Sequence, residues 1–500
     1  MDQFYIVALS FSVLVLSMIF WYIKKSTTLP PGPRGLPIVG FLPFLNQNLH
    51  VQFSGLADKY GPIFKIRLGH KLWVVIGSPS LTKEVVRDHD PIFANRDVSV
   101  AAEVVSYGMK DIAFSPNNSD WRKMRKIFSR EMLSTKSLEA TYNLRKDVVR
   151  NTISNIYYNK IEKPIEIGEL VFVTVVNVMI NLLWGGTIDE GLAAEFKAVI
   201  PKLVDLSGKA NISDFFPILA GLDLQGIKKD MEIQLQNMDR IFDLVIAQHK
   251  KKLSGYEKDE ERKDFLQILL ELKEKEDSEM SITLTQIKAM LVDIVSGGTD
   301  TSSTTIEWAM AELMNNPEVR AKVEQELSDV VGLNNMVEES HIPKLQYVEA
   351  VVKETMRLHP AVPFLVPRSP TQSSTIGGYT IPKNTAVFIN VWSIQRDPSI
   401  WENPLDFKPE RFLDNNGKMD LGGNKFSYLP FGSGRRMCPG MPLADKMIIY
   451  LLASLLHSFK WKLPKGETLD MSERFGIVLR KSTPLYVTPS PRLSDSDLYT

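Results

Sequence analysis

Cys438 is the only cysteine in the 500-residue chain, and it stands in a loop sequence that is suited to metal binding. The loop runs from Phe431 to Gly440 and contains further glycines, Pro439 and two arginines, of which the second is Arg436. Glycines let backbone N–H groups approach the sulfur, and arginines stabilise the thiolate, which is the form that binds metals. A single thiolate ligand is typical of haem iron rather than of zinc, and one cysteine excludes an internal disulfide framework and an iron–sulfur cluster. The alternative is that Cys438 is a small buried hydrophobic residue.

A second group of small and polar residues, 296–302, lies within a stretch of helical periodicity. A capping box that begins at Thr283 predicts the start of this helix, and Pro317 predicts its end, about 32 residues in all. Two glycines inside it cost about 1 kcal/mol each relative to alanine, so a flat ligand against the backbone or a local distortion must offset that cost. Asp300 and Thr301 supply an acid and a hydroxyl for proton transfer. A close helix–helix contact with polar capping residues is the alternative.

Two further spacings carry little information when each is read alone. Glu354 and Arg357 lie three residues apart on one helix face, which is a very common pairing. Trp121 and Arg125 lie four residues apart, again on one face of a predicted helix. The alternative for the second pair is a basic amphipathic helix on a solvated face or at a lipid surface.

Together these motifs resemble those of the cytochrome P450 family, and the resemblance covers nearly the whole chain. The pattern Phe-x-x-Gly-x-Arg-x-Cys-x-Gly around Cys438 matches the family's haem-binding signature. The resemblance implies that Thr301 hydrogen-bonds dioxygen and that Asp300 helps to deliver protons for O–O cleavage. It also implies that Glu354, Arg357 and Arg411 form a structural support for the haem loop. The cofactor is then haem b (iron protoporphyrin IX), with Cys438 as the iron ligand and the following residues in contact with it: Trp121, Arg125, Arg368, Phe431, Arg436, Cys438 and Gly440.

The family resemblance implies a monooxygenase, an oxidoreductase that inserts one oxygen atom of O2 into a C–H bond. Because the sequence has no flavin or nicotinamide fingerprint, the electrons must come from a partner, which the resemblance identifies as NADPH–cytochrome P450 reductase. Arg122, Lys123, Lys126 and Arg130 could form the positive docking surface for this partner. One alternative is a haem-thiolate isomerase or dehydratase that needs no external electrons. Another is a haem-binding carrier without turnover, and a third is a purely structural membrane protein.

Three segments, 297–310, 431–444 and 475–485, resemble those of plant hydroxylases of specialised metabolism. The similar enzymes act on geraniol, on sesquiterpenes such as δ-cadinene, and on flavonoids. By family position the substrate pocket is expected to be largely apolar, which favours a sesquiterpenoid or another terpenoid, with a flavonoid as the alternative. The residues expected to line it are 104–109, 215–216, 295–299, 361–366 and 477–478.

The first 43 residues predict a membrane anchor and a spacer. Phe4 to Ile23 is a run of 20 uncharged residues, about 30 Å as a helix, which matches the hydrocarbon core of a bilayer. Lys24 and Lys25 follow, so the positive-inside rule places the rest of the chain in the cytosol, on the endoplasmic reticulum membrane by the family resemblance. A cleaved signal peptide fits poorly, because Asp2 is acidic and the apolar run is too long. Four prolines between residues 29 and 37 predict an extended spacer.

The remaining sequence predicts one globular domain that is mainly α with a minor β region. The family resemblance implies that this domain has the cytochrome P450 fold. We expect an anchor at 1–25, a hinge at 26–43 and the haem domain at 44–500. Two short strands are predicted at 63–68 and 72–76, the charged stretch 250–277 is expected on the surface, and the polar residues from Pro489 are expected to be loose. Lys plus Arg and Asp plus Glu both total 59, so no basic field exists to bind nucleic acid.

Overall fold

Helices make up most of the described chain, which in this computed structural model comprises residues 28–186, 189–254, 263–275, 279–413 and 421–500. The anchor predicted at residues 1–25 lies outside the described residues. The helices follow one another in this order: α1 Leu49–Tyr60, α2 Pro79–Lys83, α3 Val100–Val105, α4 Ser119–Ile127, α5 Thr135–Ala140, α6 Tyr142–Asn159, α7 Ile167–Trp184, α8 Glu190–Gly208, α9 Ile212–Phe215, α10 Ile227–Ser254, α11 Phe265–Glu274, α12 Leu284–Asn315, α13 Pro317–Val330, α14 Gln346–Leu358, α15 Val391–Ile394 and α16 Met441–Ser458.

Short strands form four small sheets beside the helices. The five-stranded sheet has the order β1-β2-β8-β5-β3, and all its neighbouring strands are antiparallel except β2 and β8. A three-stranded sheet has the order β4-β12-β9, and β6-β7 and β10-β11 are two-stranded. The strands are β1 Ile63–Leu68, β2 Lys71–Ile76, β3 Asn95–Arg96, β4 Ile165–Glu166, β5 Arg368–Ser369, β6 Ser374–Ile376, β7 Tyr379–Ile381, β8 Ala386–Ile389, β9 Phe459–Lys462, β10 Glu473–Arg474, β11 Arg480–Lys481 and β12 Tyr486–Pro491. The mainly helical fold with a minor β region and the hairpin of β1 and β2 are confirmed.

Helix α12 runs through the centre of the helical part and packs against α7, α8, α14 and α16. The predicted capping box is present, because the side chains of Thr283 and Gln286 each bond the backbone N–H of the other residue. The helix ends at Asn315, just before Pro317, as predicted. Because it is buried over most of its length, α12 can carry side chains into the interior from one rigid element.

Helix α7 shows that an apolar helix long enough to cross a membrane can belong to a core. Its 18 residues have a mean hydropathy of 1.9, and 61% of them are buried inside the protein. It packs closely on α12, so we assign it to the hydrophobic core of the domain.

Residues 30–35 of the proline-rich segment lie outside any helix or strand, whereas 36–40 form a tight turn. The segment is attached to the sheet over part of its length. The carbonyl of Pro31 accepts a hydrogen bond from the N–H of Lys65 (2.7 Å), and Gly40 forms a bridge with Leu68. A spacer bonded to β1 in this way holds the start of the described chain at a fixed place on the domain.

Two surface predictions from composition are wrong in part. Within the charged stretch 250–277, α11 buries Phe265, Leu266, Leu269 and Leu270, because apolar residues there recur at helical spacing between the charges. The C-terminal residues are also ordered: they form part of β12, and the ring of Tyr499 is 1% exposed and stacks on Tyr157 at 4.1 Å. Each of these segments is polar on average but contains one buried aromatic residue, Phe265 in α11 and Tyr499 near the C-terminus.

A buried ionic cluster joins α14 to the segment that leads to Cys438. The guanidinium of Arg357 donates two hydrogen bonds to Glu354 (2.7 and 2.8 Å), and both side chains are fully buried. Arg357 also donates to the carbonyls of Gln395 and Pro404, and Arg411 bonds Glu354 at 3.3 Å. The three residues that the family resemblance grouped therefore lie together and connect distant parts of the backbone.

We predict that Glu354→Ala destabilises the fold by about 3–5 kcal/mol, because it leaves a buried guanidinium without its counter-charge. Chemical denaturation followed by circular dichroism would measure the loss. A matched control is Asp88→Ala, which breaks the exposed Lys83–Asp88 pair (2.9 Å) and should cost no more than about 1 kcal/mol. Similar small losses in both variants would contradict a supporting role for the cluster.

Candidate functional site

The loop around Cys438 is shaped by tight turns that bring backbone N–H groups to its sulfur. The N–H of Cys438 donates to the carbonyl of Phe431 (2.9 Å), which closes the loop. Gly434 has a φ of 70°, and a Cβ there would lie 2.3 Å from the carbonyl oxygen of Val86, so this position requires glycine. The N–H groups of Gly440 and Met441 bond the sulfur at the start of α16. The positive end of that helix therefore faces the sulfur.

Burial raises the pKa of the Cys438 thiol, whereas the bond from Gly440 and the charge of Arg125 act in the opposite direction. Cys438 as a residue is nevertheless exposed. These two facts agree if the sulfur lies in the wall of a cleft, with protein behind it and open space in front. That geometry leaves the sulfur free to bind a metal ion supplied from the cleft.

The two glycines of α12 have different surroundings. A Cβ at Gly298 would lie 2.9 Å from the Cε atom of Met179 on α7, so this glycine allows the two helices to approach. A Cβ at Gly297 would have no atom within 4 Å, so this glycine borders open space. Both interpretations of the sequence hold, each at one position: a close helix–helix contact and room for a ligand.

Asp300 and Thr301 follow these glycines, and their side chains have different partners. The Thr301 hydroxyl donates to the carbonyl of Gly297 at 2.7 Å. The Asp300 carboxylate accepts two hydrogen bonds from Arg480, at 2.6 and 3.1 Å, and Arg480 also bonds Asp205 on α8 at 2.9 Å. The predicted acid is therefore held by an arginine that sequence reasoning missed. Arg480 lies 180 positions further along the chain, and no local spacing links it to Asp300.

Four arginines gather around the loop that precedes α4 and the loop that contains Cys438. Arg436 lies over the ring of Trp121 (4.2 Å) and donates to the carbonyl of Ala94 at 2.6 Å. Arg125 donates to the carbonyl of Met437, and Arg368 donates to that of Ser433 (2.6 Å). These bonds bring together four of the residues that the family resemblance places in contact with haem: Trp121, Arg125, Arg368 and Arg436.

The fourth member, Arg96 on β3, was missed by the sequence analysis. It pairs with Arg368 across β3 and β5, and it donates to the carbonyls of Ala113 (3.1 Å) and Val366 (2.6 Å). An isolated arginine in a two-residue strand carries no spacing pattern, so no signal in the sequence pointed to it.

The arginine cluster has an excess of positive charge. Burial and the neighbouring charge of Arg368 together lower the pKa of Arg436 to about 9, although Asp111 and Asp90 act in the opposite direction. Burial and the charge of Arg436 also lower the pKa of Arg96 strongly. Arg368 forms an ion pair with Asp90 at 3.0 Å. Two acids do not balance four guanidiniums, so the cluster is suited to a ligand that carries carboxylates.

The expected pocket residues do not all lie at this site. Phe215 and Phe364 are buried in an aromatic cluster, where Phe215 packs on Trp73 at 5.9 Å. Leu365, by contrast, lies near Gly432 of the Cys438 loop, and Ile477 packs against Gly208 at the end of α8. Of these four residues, Leu365 is the one that lies beside the Cys438 loop.

The residues fit haem in three respects. The accessible sulfur of Cys438 can ligate iron, the arginine cluster can bind two carboxylates, and Gly297 leaves space for a flat ring. These features come from five separate parts of the chain: β3, α4, α12, β5 and the Cys438 loop.

Comparison with known proteins gives a consistent result. The family model described as Cytochrome P450 matches residues 30–489. The flavonoid 3'-monooxygenase of Petunia hybrida is 38% identical over 98% of this chain and 97% of that protein. Cytochrome P450 76C1 of Arabidopsis thaliana is 41% identical (93% and 92%), and carnosic acid synthase of Rosmarinus officinalis is 39% identical (92% and 93%). Among solved structures, a zebra fish cytochrome P450 with progesterone has a TM-score of 0.76 and 26% identity, covering 89% of this chain and 100% of that chain.

Proposed function

This chain belongs to the cytochrome P450 family, and on that premise we propose that Cys438 is its iron ligand and that its substrate is an apolar terpenoid. The family membership makes it a haem-thiolate monooxygenase that uses haem b, O2, a small-molecule substrate and a reductase as redox partner. The observation that carries the residue assignment is that Cys438 is exposed while its sulfur accepts the N–H groups of Gly440 and Met441.

We assign the binding of haem to the residues around this sulfur. When bound, the haem supplies the redox chemistry by which one oxygen atom enters a C–H bond and the other leaves as water. Arg96, Arg125, Arg368 and Arg436 would hold its carboxylates, while Trp121 keeps Arg436 in place by stacking. Phe431 closes the loop by accepting the N–H of Cys438.

The proton-transfer step is assigned to Thr301 and Asp300. Forming one molecule of water takes two protons, and the Thr301 hydroxyl can pass a proton when it turns away from the carbonyl of Gly297. Asp300 can supply that hydroxyl from the opposite side if its carboxylate leaves Arg480, which retains Asp205 as a partner. The ion pair would therefore control when the acid is available.

The apolar substrate is favoured by the chemistry of the side chains near the cleft. Leu365 and Ile477 are aliphatic, and the charges of Asp300 and Arg480 neutralise each other. The phenolic hydroxyl of Tyr107, within the expected pocket region, already donates to Asp239 at 2.8 Å. These features favour a terpenoid, most of all a sesquiterpenoid. A flavonoid is the second candidate, because the Petunia relative is a flavonoid 3'-monooxygenase.

The proposed electron donor is NADPH–cytochrome P450 reductase, docked on the face of α4. Arg122, Lys126 and Arg130 are exposed there, and Arg130 has 72% of its side chain accessible. On the same helix, Arg125 contacts the carbonyl of Met437, next to Cys438. An acidic donor on this face would thus lie close to the sulfur, which shortens the path for electrons.

We infer that the chain is attached to the endoplasmic reticulum membrane by residues 1–25, with the hinge 26–43 and the haem domain 44–500 facing the cytosol. An exposed apolar surface supports this proposal. Ile38 and Ile218 are 84% and 93% exposed and line one depression, and Leu222 is 67% exposed. Such a surface suits contact with lipid near the end of the anchor.

Cys438→Ala should abolish the red-shifted Soret band of the reduced, carbon monoxide-bound protein, because the thiolate is what shifts this band. The measurement is a difference spectrum of wild type and variant after loading with haem. A control is Ser433→Ala, which leaves the sulfur in place and should keep the band. If well-folded wild type shows no such band, or if Cys438→Ala retains it, the ligand assignment is wrong.

Asp300→Asn and Thr301→Ala should each reduce product formation about 10²-fold or more, because each removes a group that transfers protons. The two quantities to measure are product formed and NADPH consumed, since failed proton delivery diverts electrons to hydrogen peroxide. Thr305→Ala is the matched control, because it removes a hydroxyl one turn further along α12 that bonds only the carbonyl of Thr301 (2.8 Å). Unchanged coupling of NADPH to product in both test variants would contradict the proton pathway.

The substrate proposal predicts that sesquiterpenes shift the Soret band and are hydroxylated by the reductase-coupled enzyme, whereas flavonoids do neither. Apolar side chains give no compensation for burying several phenolic hydroxyls, which costs affinity. The measurement is a spectral titration followed by product analysis on both panels. Preferential hydroxylation of a flavonoid would replace the terpenoid assignment.

A further inference from the structure

Two carboxyl groups lie in contact beneath the loop between α3 and α4. Asp111 belongs to this loop and is 1% exposed, while Asp293 lies on α12, one turn before Gly297. Their side chains are hydrogen-bonded to each other. The proton-transfer and haem-binding groups assigned above include neither residue.

The two carboxyls bind four consecutive backbone N–H groups. Asp293 accepts those of Ile112 (2.6 Å) and Ala113 (3.1 Å) through one oxygen. Asp111 accepts those of Phe114 (3.0 Å) and Ser115 (2.8 Å). The backbone from 112 to 115 is therefore fixed against α12 through its donors.

The carbonyl groups of the same segment bind the arginine cluster. The carbonyl of Ile112 accepts from Trp121 (2.9 Å) and from Arg436 (3.3 Å). The carbonyl of Ser115 also accepts from Arg436, and that of Ala113 accepts from Arg96 at 3.1 Å. The segment thus has acids on its N–H side and cations on its carbonyl side.

Two carboxylates in contact cannot both stay ionised near neutral pH, because the repulsion between adjacent negative charges in a buried site is too large. Burial raises the pKa of Asp293, and the charge of Asp111 raises it further. Arg96 and Arg436 are the cations whose charges act on Asp111. Burial raises the pKa of Asp111 as well, so the proton belongs to the pair and lies in the hydrogen bond between the two carboxyls.

We propose that Asp111 and Asp293 share one proton and that this pair positions the segment 112–115, and through it Arg96 and Arg436. Both acids are positioning residues, since they touch the segment and neither the substrate nor the cofactor. The effect on haem rests on the function proposed above, whereas the shared proton and the fixed segment do not.

The shared proton is tested by infrared spectroscopy at neutral pH. The difference spectrum of wild type minus Asp293→Asn should contain the C=O band of a protonated carboxyl, which moves to lower frequency in D2O. Asp58→Asn, at an exposed position on α1, is the matched control and should give no such band. A spectrum of wild type minus Asp293→Asn without the band would overturn the shared proton.

The positioning role is tested by comparing Asp293→Asn with Asp293→Ala. Asparagine keeps an acceptor for the N–H groups of Ile112 and Ala113 and a donor for Asp111, so hydrogen exchange of these amides and the rate of haem loss should stay near the wild-type values. Alanine removes both functions, so the two amides should exchange faster and haem should be lost about tenfold faster, as is typical for partners of ligand-holding groups. Unchanged amide exchange in a folded Asp293→Ala protein would overturn the positioning role.

The outcomes separate this proposal from the assignment of Cys438. If Cys438 is not the iron ligand, the thiolate band is missing in wild type, while the infrared and exchange results remain as stated. If Asp293→Ala does not fold, amide exchange in Asp293→Asn still decides the matter: protection as in wild type supports the proposal, and loss of protection despite a retained acceptor and donor overturns it.

Discussion

Four guanidinium groups share one small volume around the loop that precedes α4, and the cost of removing their charges from water constrains the structure around them. Backbone carbonyls of four separate segments accept hydrogen bonds from Arg96, Arg125, Arg368 and Arg436 without supplying negative charge. Asp90 and Asp111 supply part of the charge. The two carboxylates of haem would supply the rest, so the cofactor acts as a structural counter-ion as well as a reagent.

Helix α12 connects this charged region to the reaction site. Asp293 bonds the segment that carries the carbonyls for Arg96 and Arg436, and one turn later Gly297 borders open space. Another turn later the Thr301 hydroxyl bonds the carbonyl of Gly297, while Asp300 faces Arg480. A rigid helix with a good N-terminal cap can thus set the relative positions of cofactor contacts and proton donors.

The sequence predicted those features that depend on short-range signals. The capping box at Thr283 located the start of α12, and the spacing around Cys438 identified a loop that the structure closes through Phe431. Arg96 and Arg480 escaped prediction because their partners lie far away in the chain and no spacing rule connects them. The pairing of Asp111 with Asp293 escaped for the same reason. Average polarity also gave a wrong prediction for the residues from Pro489 onward. They are polar, but the buried ring of Tyr499 holds them in place.

The bond between Arg436 and the carbonyl of Ala94 spans 342 positions of the chain, and that between Arg125 and Met437 spans 312. A ribosome synthesises the chain from its N-terminus. Arg96 and Arg125 are therefore made before Cys438, by roughly tens of seconds at ordinary rates of synthesis. Throughout that interval Arg96 and Arg125 have neither the Cys438 loop nor a complete cleft for the cofactor. The complete set of contacts for haem therefore exists only after the Cys438 loop has been made, so the cofactor site is finished near the end of synthesis.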